Sequence, residues 1–318
     1  MSEPQTTTPR LTPEPLPANL TSTQPGGGTC YSLELAWGHL RRWWLRTFRP
    51  GYVARMAMLR QGDPAGCPIP LLDPRDLKYY RNVCTAHWQP EDDPFQWRER
   101  LGLARWGLAE LLLMGTPMAV FTVLALVQGW LWAAIPPAIV FGWLVWFFRD
   151  PARTVPNTPG LVVSPADGRI ADVQQLDYDE FIGGPAVRIG IFLSIFNVHI
   201  NRVPVRSRII ALRYCPGKFL NALNPTSALV NESLWIGLED DDAPQRRMVV
   251  RQIAGLFARR IVCDLRPGQT LERGAKFGMI KLGSRTELIV PATDGLVVDT
   301  AIGQKVQAGS TVLARYTR

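Results

Sequence analysis

The segment AKFGMIKLGSRTELIVP, Ala275–Pro291, sets a run of strand-forming residues on each side of Gly283-Ser284. A Gly-Ser pair between strands is ordinarily a turn, since glycine tolerates positive φ and serine bonds to nearby backbone. The pair also allows a second chemistry. The serine hydroxyl can attack the carbonyl just before it, and glycine has no side chain to obstruct the approach. The amide becomes an ester, and elimination then breaks the chain. The new chain begins with dehydroalanine, which hydrolyses to a pyruvoyl group and ammonia. Whether Ser284 is a turn residue or a nucleophile depends on what the rest of the sequence can place beside it.

Two residues qualify. Asp167 sits in SPADG, just after an apolar run, and His199 sits in FNVHINR, at the end of the longest strand-like run. Taken singly, the Asp before Gly is a turn residue and the His is a structural one. With Ser284 they make an acid, a base and a nucleophile. A conventional serine hydrolase is the first arrangement to test. KLGSR lacks the G-x-S-x-G elbow, and no Gly-rich oxyanion segment accompanies it. Attack by Ser284 on its own backbone survives that test.

After Asp150 short apolar runs alternate with Gly, Pro and Asp, as in LVVSPADGRIADV, RIIALRY, KFGMIKL, TELIVPATDGLVVDT and TVLARY. They predict a mainly β domain over 151–318, barrel-sandwich-like in an α+β arrangement, with a short helix near Gly217–Leu229. SPADGRIADV is echoed by VPATDGLVVDT, and the ending AIGQKVQAGSTVLARY resembles the hairpins of biotinyl and lipoyl carriers. A carrier needs a lysine at the hairpin tip, and Asp294-Gly295-Leu296 provides none. The echo points to a shared barrel-like fold, not to a shared function.

Upstream, no charged residue occurs from Leu111 to Phe148. About 20 helical residues cross a hydrocarbon core, so the run suffices for a helical membrane hairpin over 105–150. Gln128-Gly129 marks the bend, and Pro136-Pro137 kinks the second limb or makes both limbs re-entrant. Arg98, Arg100 and Arg105 precede the run, and Arg149 and Arg153 follow it. Arginine at both ends places both on the cytoplasmic side of a cell membrane. A buried hairpin in a soluble core is the alternative.

Residues 30–104 form a basic and aromatic extension. Its segment RRWWLRTFRPGYVARMAMLR, 41–60, carries six arginines and no acid, interleaved with Trp43, Trp44, Phe48 and Tyr52. Such a mix suits a membrane surface and also the stacking of single-stranded nucleic acid. The apolar run that follows favours the membrane. Residues 1–29, rich in Pro, Thr, Ser and Gly, are expected to be a disordered tail, and no signal peptide is visible.

The net charge of +8 suits an anionic partner, and 19% charged residues is low for a soluble enzyme. Five cysteines without a CxxC pair argue against a disulfide framework or zinc site and for a reducing compartment. Three histidines, His39, His87 and His199, leave no multi-imidazole metal centre to build.

The motifs WFFRDPART, VVSPADGRI, IGIFLSIFNVHINRVPV, GKFLNA, VNES, QIAGLFARRIV, GAKFGMIKLGSRTEL and KVQAGSTVLARY resemble, in the same order, those of phosphatidylserine decarboxylases of the short bacterial and archaeal type. The likeness covers about residues 105–318. It implies self-cleavage at Gly283-Ser284, with Asp167 and His199 activating Ser284. The products are a large β chain and a small α chain that starts with the pyruvoyl group. It implies decarboxylation of phosphatidylserine to phosphatidylethanolamine and CO2, through an imine between the pyruvoyl carbonyl and the substrate amine. No metal or separate organic cofactor is expected. His199, the only histidine of the β domain, is also the candidate proton donor in turnover. Arg202, Lys218 and Lys281 are candidates for the lipid phosphate. Two positions depart from the family pattern. Phe196 stands where longer members have a second histidine, and Ser233 follows Asn231-Glu232 where arginine is common. The expected partners are the membrane phospholipid and the two chains of one precursor, with association between copies left open and no nucleic acid. Two alternatives stand: a pyruvoyl decarboxylase of another serine lipid or amino acid, and a non-catalytic membrane-anchored barrel.

Overall fold

The computed structural model of the chain describes residues 10–80, 84–220, 227–242, 244–256, 260–281, 284–293 and 295–317. It has two compact units, one of Met1–Gly26 with Arg153–Arg318 and one of Gly27–Ala152.

The first unit is mostly β. Its strands are β1 (Leu161–Val163), β2 (Gly168–Asp179), β3 (Gly184–Leu193), β4 (Ile200–Arg202), β5 (Ser207–Cys215), β6 (Ser233–Asp240) and β7 (Arg247–Ala254). They continue as β8 (Arg260–Cys263), β9 (Thr270–Leu271), β10 (Lys276–Lys281), β11 (Ser284–Pro291), β12 (Leu296–Val298), β13 (Lys305–Val306) and β14 (Val312–Tyr316). Eight strands form one sheet in the order β13-β2-β3-β11-β7-β6-β5-β9, and two three-stranded sheets run β1-β14-β12 and β4-β10-β8. One core joins all three: Ile189, Ile236, Val250 and Leu288 of the large sheet pack with Val162, Leu313, Ile261 and Phe277 of the small ones. The short helix expected near Gly217–Leu229 is described only as Ser227–Val230.

Every residue of β11 is buried. Side chains alternate across a strand, so Ser284, Thr286, Leu288 and Val290 share one face. Leu288 and Val290 enter the main core, while Ile289 packs with Ala186 and Val249 on the other side. Arg285 and Glu287 fall on that second face. Glu287 accepts from Arg251 at 2.8 Å and from Arg285 at 3.0 Å, and Arg285 pairs with Asp172 at 2.7 Å. Burial on both faces is tolerable because each charge has an opposite partner.

β10 and β11 are not the two arms of a hairpin. β10 pairs with β4 and β8, and β11 with β3 and β7. Only two residues separate the last residue of one sheet from the first of another.

Residues 10–26, expected within a disordered tail, pack along this β unit. Glu14 N–H donates to the Ile210 carbonyl at 2.8 Å, Asn19 Nδ2 to the Tyr214 carbonyl at 2.9 Å, and Cys263 N–H to the Thr23 carbonyl at 2.8 Å. Leu20 is buried in the main core and Leu16 packs against it. Composition alone counted few apolar residues here; two well-spaced leucines and a strand edge suffice to hold an extended arm.

The second unit is helical: α1 (Thr29–Phe48), α2 (Pro50–Leu59), α3 (Leu77–Tyr80), α4 (Leu108–Val127) and α5 (Leu131–Phe147). Half of the six arginines of 41–60 are engaged inside it. Arg41 pairs with Asp73, Arg42 with Asp76 at 3.1 Å, and Arg60 donates to the Leu71 carbonyl at 3.2 Å. Tyr52 also donates to Asp73, at 2.9 Å. Trp43, Trp44 and Phe48 are exposed.

α4 and α5 pack on each other, and Gly129, at φ 74°, makes the turn between them. Gly115 lets the Phe141 ring approach: a Cβ there would lie 3.3 Å from it. The outer surfaces are apolar and exposed, including Leu112, Val120, Phe121, Leu131, Trp132 and Ile139. That is not the surface of a hairpin buried in a soluble core. Arg105–Val127 is long and apolar enough to cross a membrane, whereas Leu131–Phe147 is shorter, and Pro136-Pro137 lie inside its continuous helix.

Candidate active site

Ser284 is the first residue of β11 and pairs with Leu193 of β3 and Ala254 of β7. Its side chain is fully buried, and Oγ has no hydrogen-bond partner among the described residues. Buried polar atoms are normally satisfied, so an orphaned hydroxyl marks either stored strain or chemistry. Gly283, the other half of the expected cleavage site, lies outside the described residues.

His199 is fully buried just before β4. Its Nδ1 lies 2.9 Å from the Asn197 carbonyl. A carbonyl can only accept, so in the neutral ring Nδ1 carries the proton and Nε2 presents a lone pair. A backbone carbonyl thus holds Nδ1. β4 runs antiparallel to β10, and Ile280 N–H donates to the His199 carbonyl at 3.2 Å. The early end of β4 therefore lies beside the late end of β10, where the chain is about to enter β11. That pairing sets His199 opposite Ile280, four positions before Ser284.

Asp167 lies between β1 and β2. Arg153 Nη2 donates to its Oδ2 at 2.7 Å, and the Ala308 N–H to its Oδ1 at 2.8 Å. The loop that carries it docks on β4: the Pro165 carbonyl accepts from the Arg202 N–H at 3.0 Å and from Asn201 Nδ2 at 3.3 Å.

Asn201 connects the three elements. Besides Pro165 it donates to Thr286 Oγ1 at 3.1 Å, and its own oxygen accepts from Gln252 Nε2 at 2.9 Å. Thr286 shares a face with Ser284, two residues on, and Asn201 follows His199 by the same step. All three network residues are fully buried. Sequence reasoning missed them. The available signal was the spacing: HIN and SRT place a second polar residue two positions after each candidate.

Glu232 was missed as well. Its carbonyl accepts the Ala254 N–H at 2.9 Å, so Glu232, Ala254, Ser284 and Leu193 form one row across the large sheet. Burial pushes the Glu232 carboxyl above its usual range, against Arg260 and a hydrogen bond with Tyr214 that pull it down.

A model of the phosphatidylserine decarboxylase family matches residues 140–314. The chain belongs to that family. Among its relatives, the phosphatidylserine decarboxylase proenzyme of Rhodopirellula baltica is 51% identical over 242 residues, 76% of this chain and 99% of the relative. The proenzyme of Symbiobacterium thermophilum is 43% identical over 198 residues, 62% of this chain and 90% of the relative. That of Nitrosomonas eutropha is 44% identical over 201 residues, 62% of this chain and 89% of the relative.

Against this phosphatidylserine decarboxylase frame the three phosphate candidates separate. Arg202 donates to the Gly274 carbonyl at 3.0 Å, and Lys281 is buried with Nζ 3.2 Å from Gln24 Oε1. Lys218 is exposed, and no partner of its ammonium occurs among the described residues. Phe196 is exposed.

Proposed function

We propose that this chain is a proenzyme that cuts itself between Gly283 and Ser284 and then decarboxylates phosphatidylserine at the membrane. The observation that carries the reading is the buried Oγ of Ser284, without a hydrogen-bond partner among the described residues, in a chain that sets His199 opposite Ile280, four positions earlier. His199 Nε2 takes the hydroxyl proton as Oγ bonds to the Gly283 carbonyl carbon. The C–N bond breaks and the freed amine of Ser284 takes a proton, leaving an ester. Loss of the Ser284 α proton expels the Gly283 carboxylate, and water converts the resulting dehydroalanine to pyruvoyl and ammonia. Asp167, braced by Arg153 and the Ala308 N–H, supplies fixed negative charge close to the imidazolium that forms.

The residues present fit a pyruvoyl group. Its precursor side chain is enclosed, and its neighbour across the sheet is the small Ala254. When formed, that group supplies an electron-accepting carbonyl, which decarboxylation needs. Around it His199 and Glu232 can hold or deliver a proton, and the enclosing sheet excludes water.

A lipid substrate is supported by the rim of the site. The loops at the Ser284 end of β3, β7 and β6 expose Ile195, Phe196, Leu256, Leu229 and Val230. Apolar rim residues suit acyl chains, and exposed Lys218 suits an anionic headgroup. The hairpin α4–α5 anchors the enzyme, with both ends on the cytoplasmic face as its flanking arginines direct.

The test is the intact mass of the purified protein together with CO2 release from phosphatidylserine in mixed micelles. Two chains are expected, the smaller starting at position 284 with a blocked N-terminus. An active preparation made of one uncut chain would overturn the proposal. A cut protein that releases CO2 only from a different serine lipid or a free amino acid would overturn the substrate alone.

A further inference from the structure

Residues 10–26 lie outside the family match, yet their path ends at the cleavage segment. After Leu20 enters the core, the Thr23 carbonyl takes the Cys263 N–H of β8. Gln24 Oε1 then accepts from Nζ of Lys281, the last residue of β10, at 3.2 Å. Finally Gly26 lies against Glu232: a Cβ at Gly26 would sit 2.7 and 2.8 Å from the two carboxyl oxygens. The arm therefore touches both the strand that leads to Ser284 and the acid that shares its row.

Gln24 and Lys281 are 5% and 6% exposed. A buried ammonium requires acceptors, and Gln24 supplies one of those that hold Lys281. Two residues separate Lys281 from Ser284, and the two anchors belong to different sheets. Lys281 is thus the described residue that most closely precedes the bond at Ser284. Misplacing reacting atoms by 1 Å costs on the order of 100-fold in rate.

We infer that Gln24 is a positioning residue for self-cleavage, holding Lys281 so that the chain meets the Ser284 hydroxyl in a reactive geometry. The inference rests on Ser284 being the self-cleaving nucleophile.

Full-length chains carrying Gln24→Leu, Gln24→Glu or Glu14→Ala are compared with the parent by pulse-chase on denaturing gels. Leucine keeps the bulk and removes the acceptor, glutamate restores an acceptor, and the Glu14 carboxylate pairs with Arg213 at 3.3 Å, at the far end of the arm. Each change is also placed in a Ser284→Ala background, where thermal unfolding reads folding without cleavage. Gln24→Leu is expected to slow cleavage about tenfold, the effect of losing one charge-assisted hydrogen bond in the reactive state. Gln24→Glu should recover most of the rate, Glu14→Ala should cut at the parent rate, and the uncuttable forms should unfold at matching temperatures. Parent-rate cleavage in Gln24→Leu overturns the inference, as does slow cleavage shared by Gln24→Glu or matched by lost stability. A parent chain that never cuts at Ser284 removes the nucleophile first, a result distinct from a cut parent indifferent to Gln24.

Discussion

Ser284→Ala should make the precursor more stable while abolishing its maturation. In the folded chain Oγ is buried and has no hydrogen-bond partner among the described residues, whereas in the unfolded chain water satisfies it. Leaving a buried hydroxyl unsatisfied costs about 1–3 kcal/mol. Removing one oxygen opens a void smaller than a methyl group, which costs under about 1 kcal/mol. The net expectation is a gain of about 1–2 kcal/mol, or roughly 2–8 °C in Tm for a unit of this size. The comparison must be made between uncut chains, because cleavage changes the molecule being melted. An Asp167→Asn chain, expected to mature very slowly, supplies the background. Asp167→Asn and Asp167→Asn/Ser284→Ala are purified in one detergent, checked by gel to be intact, and melted side by side. An unchanged or lower Tm in the double variant would mean that the hydroxyl is satisfied in the precursor, and the nucleophile assignment would lose its main support. A Ser284→Ala chain that still splits at this bond would sink it outright.

Other outcomes are expected. His199→Ala should leave one uncut chain on a denaturing gel, since no second histidine exists in the β unit; efficient cleavage would reassign the base. Asn201→Ala should remove three buried hydrogen bonds and destabilise the precursor by about 3 kcal/mol at roughly 1 kcal/mol each, read by chemical denaturation of the uncut form. The protein should resist extraction by high salt and alkali and dissolve in detergent; recovery in the soluble fraction at low salt would refute the anchor. Burial pushes the Asp240 carboxyl up to about 6, beyond what Arg246 and Arg273 offset. Its folded-state value exceeds the unfolded one, so its contribution is full below about pH 4 and is lost as pH rises through about 6. Asp240→Asn should therefore stabilise the chain at pH 8, by on the order of 2 kcal/mol, and bring little at pH 4; a benefit confined to low pH would contradict the sign.

The catalytic candidates were legible because each sits in a short motif whose chemistry is local: Gly-Ser with strands about it, SPADG, and a histidine at a strand end. Asn201, Gln252 and Thr286 were not, because each is an ordinary polar residue until β4 and β11 are brought together in space. The separation of β10 from β11 was hidden for the same reason. Strand partners are chosen by long-range packing, and two adjacent strand-like runs carry no record of belonging to different sheets. Arg41 and Arg42 read as free surface charge because Asp73 and Asp76 lie beyond any window centred on them. The arm at 10–26 was hidden by composition, which averages Leu16 and Leu20 into a polar background. The hairpin α4–α5 was the easiest element to find, since an uncharged run of that length reports on itself.

The place of β11 in the large sheet has a consequence for the enzyme's working life. In the proposed form cut before Ser284, the short chain keeps β11 between β3 and β7, β13 on β2 and β14 on β1. It is woven into its partner by strands at the middle and the edge of one sheet and the centre of another. Such a fragment cannot leave or be exchanged without unfolding the whole unit. A reactive carbonyl spoiled by a stray nucleophile is therefore not replaceable, and each molecule is retired with the single one it made.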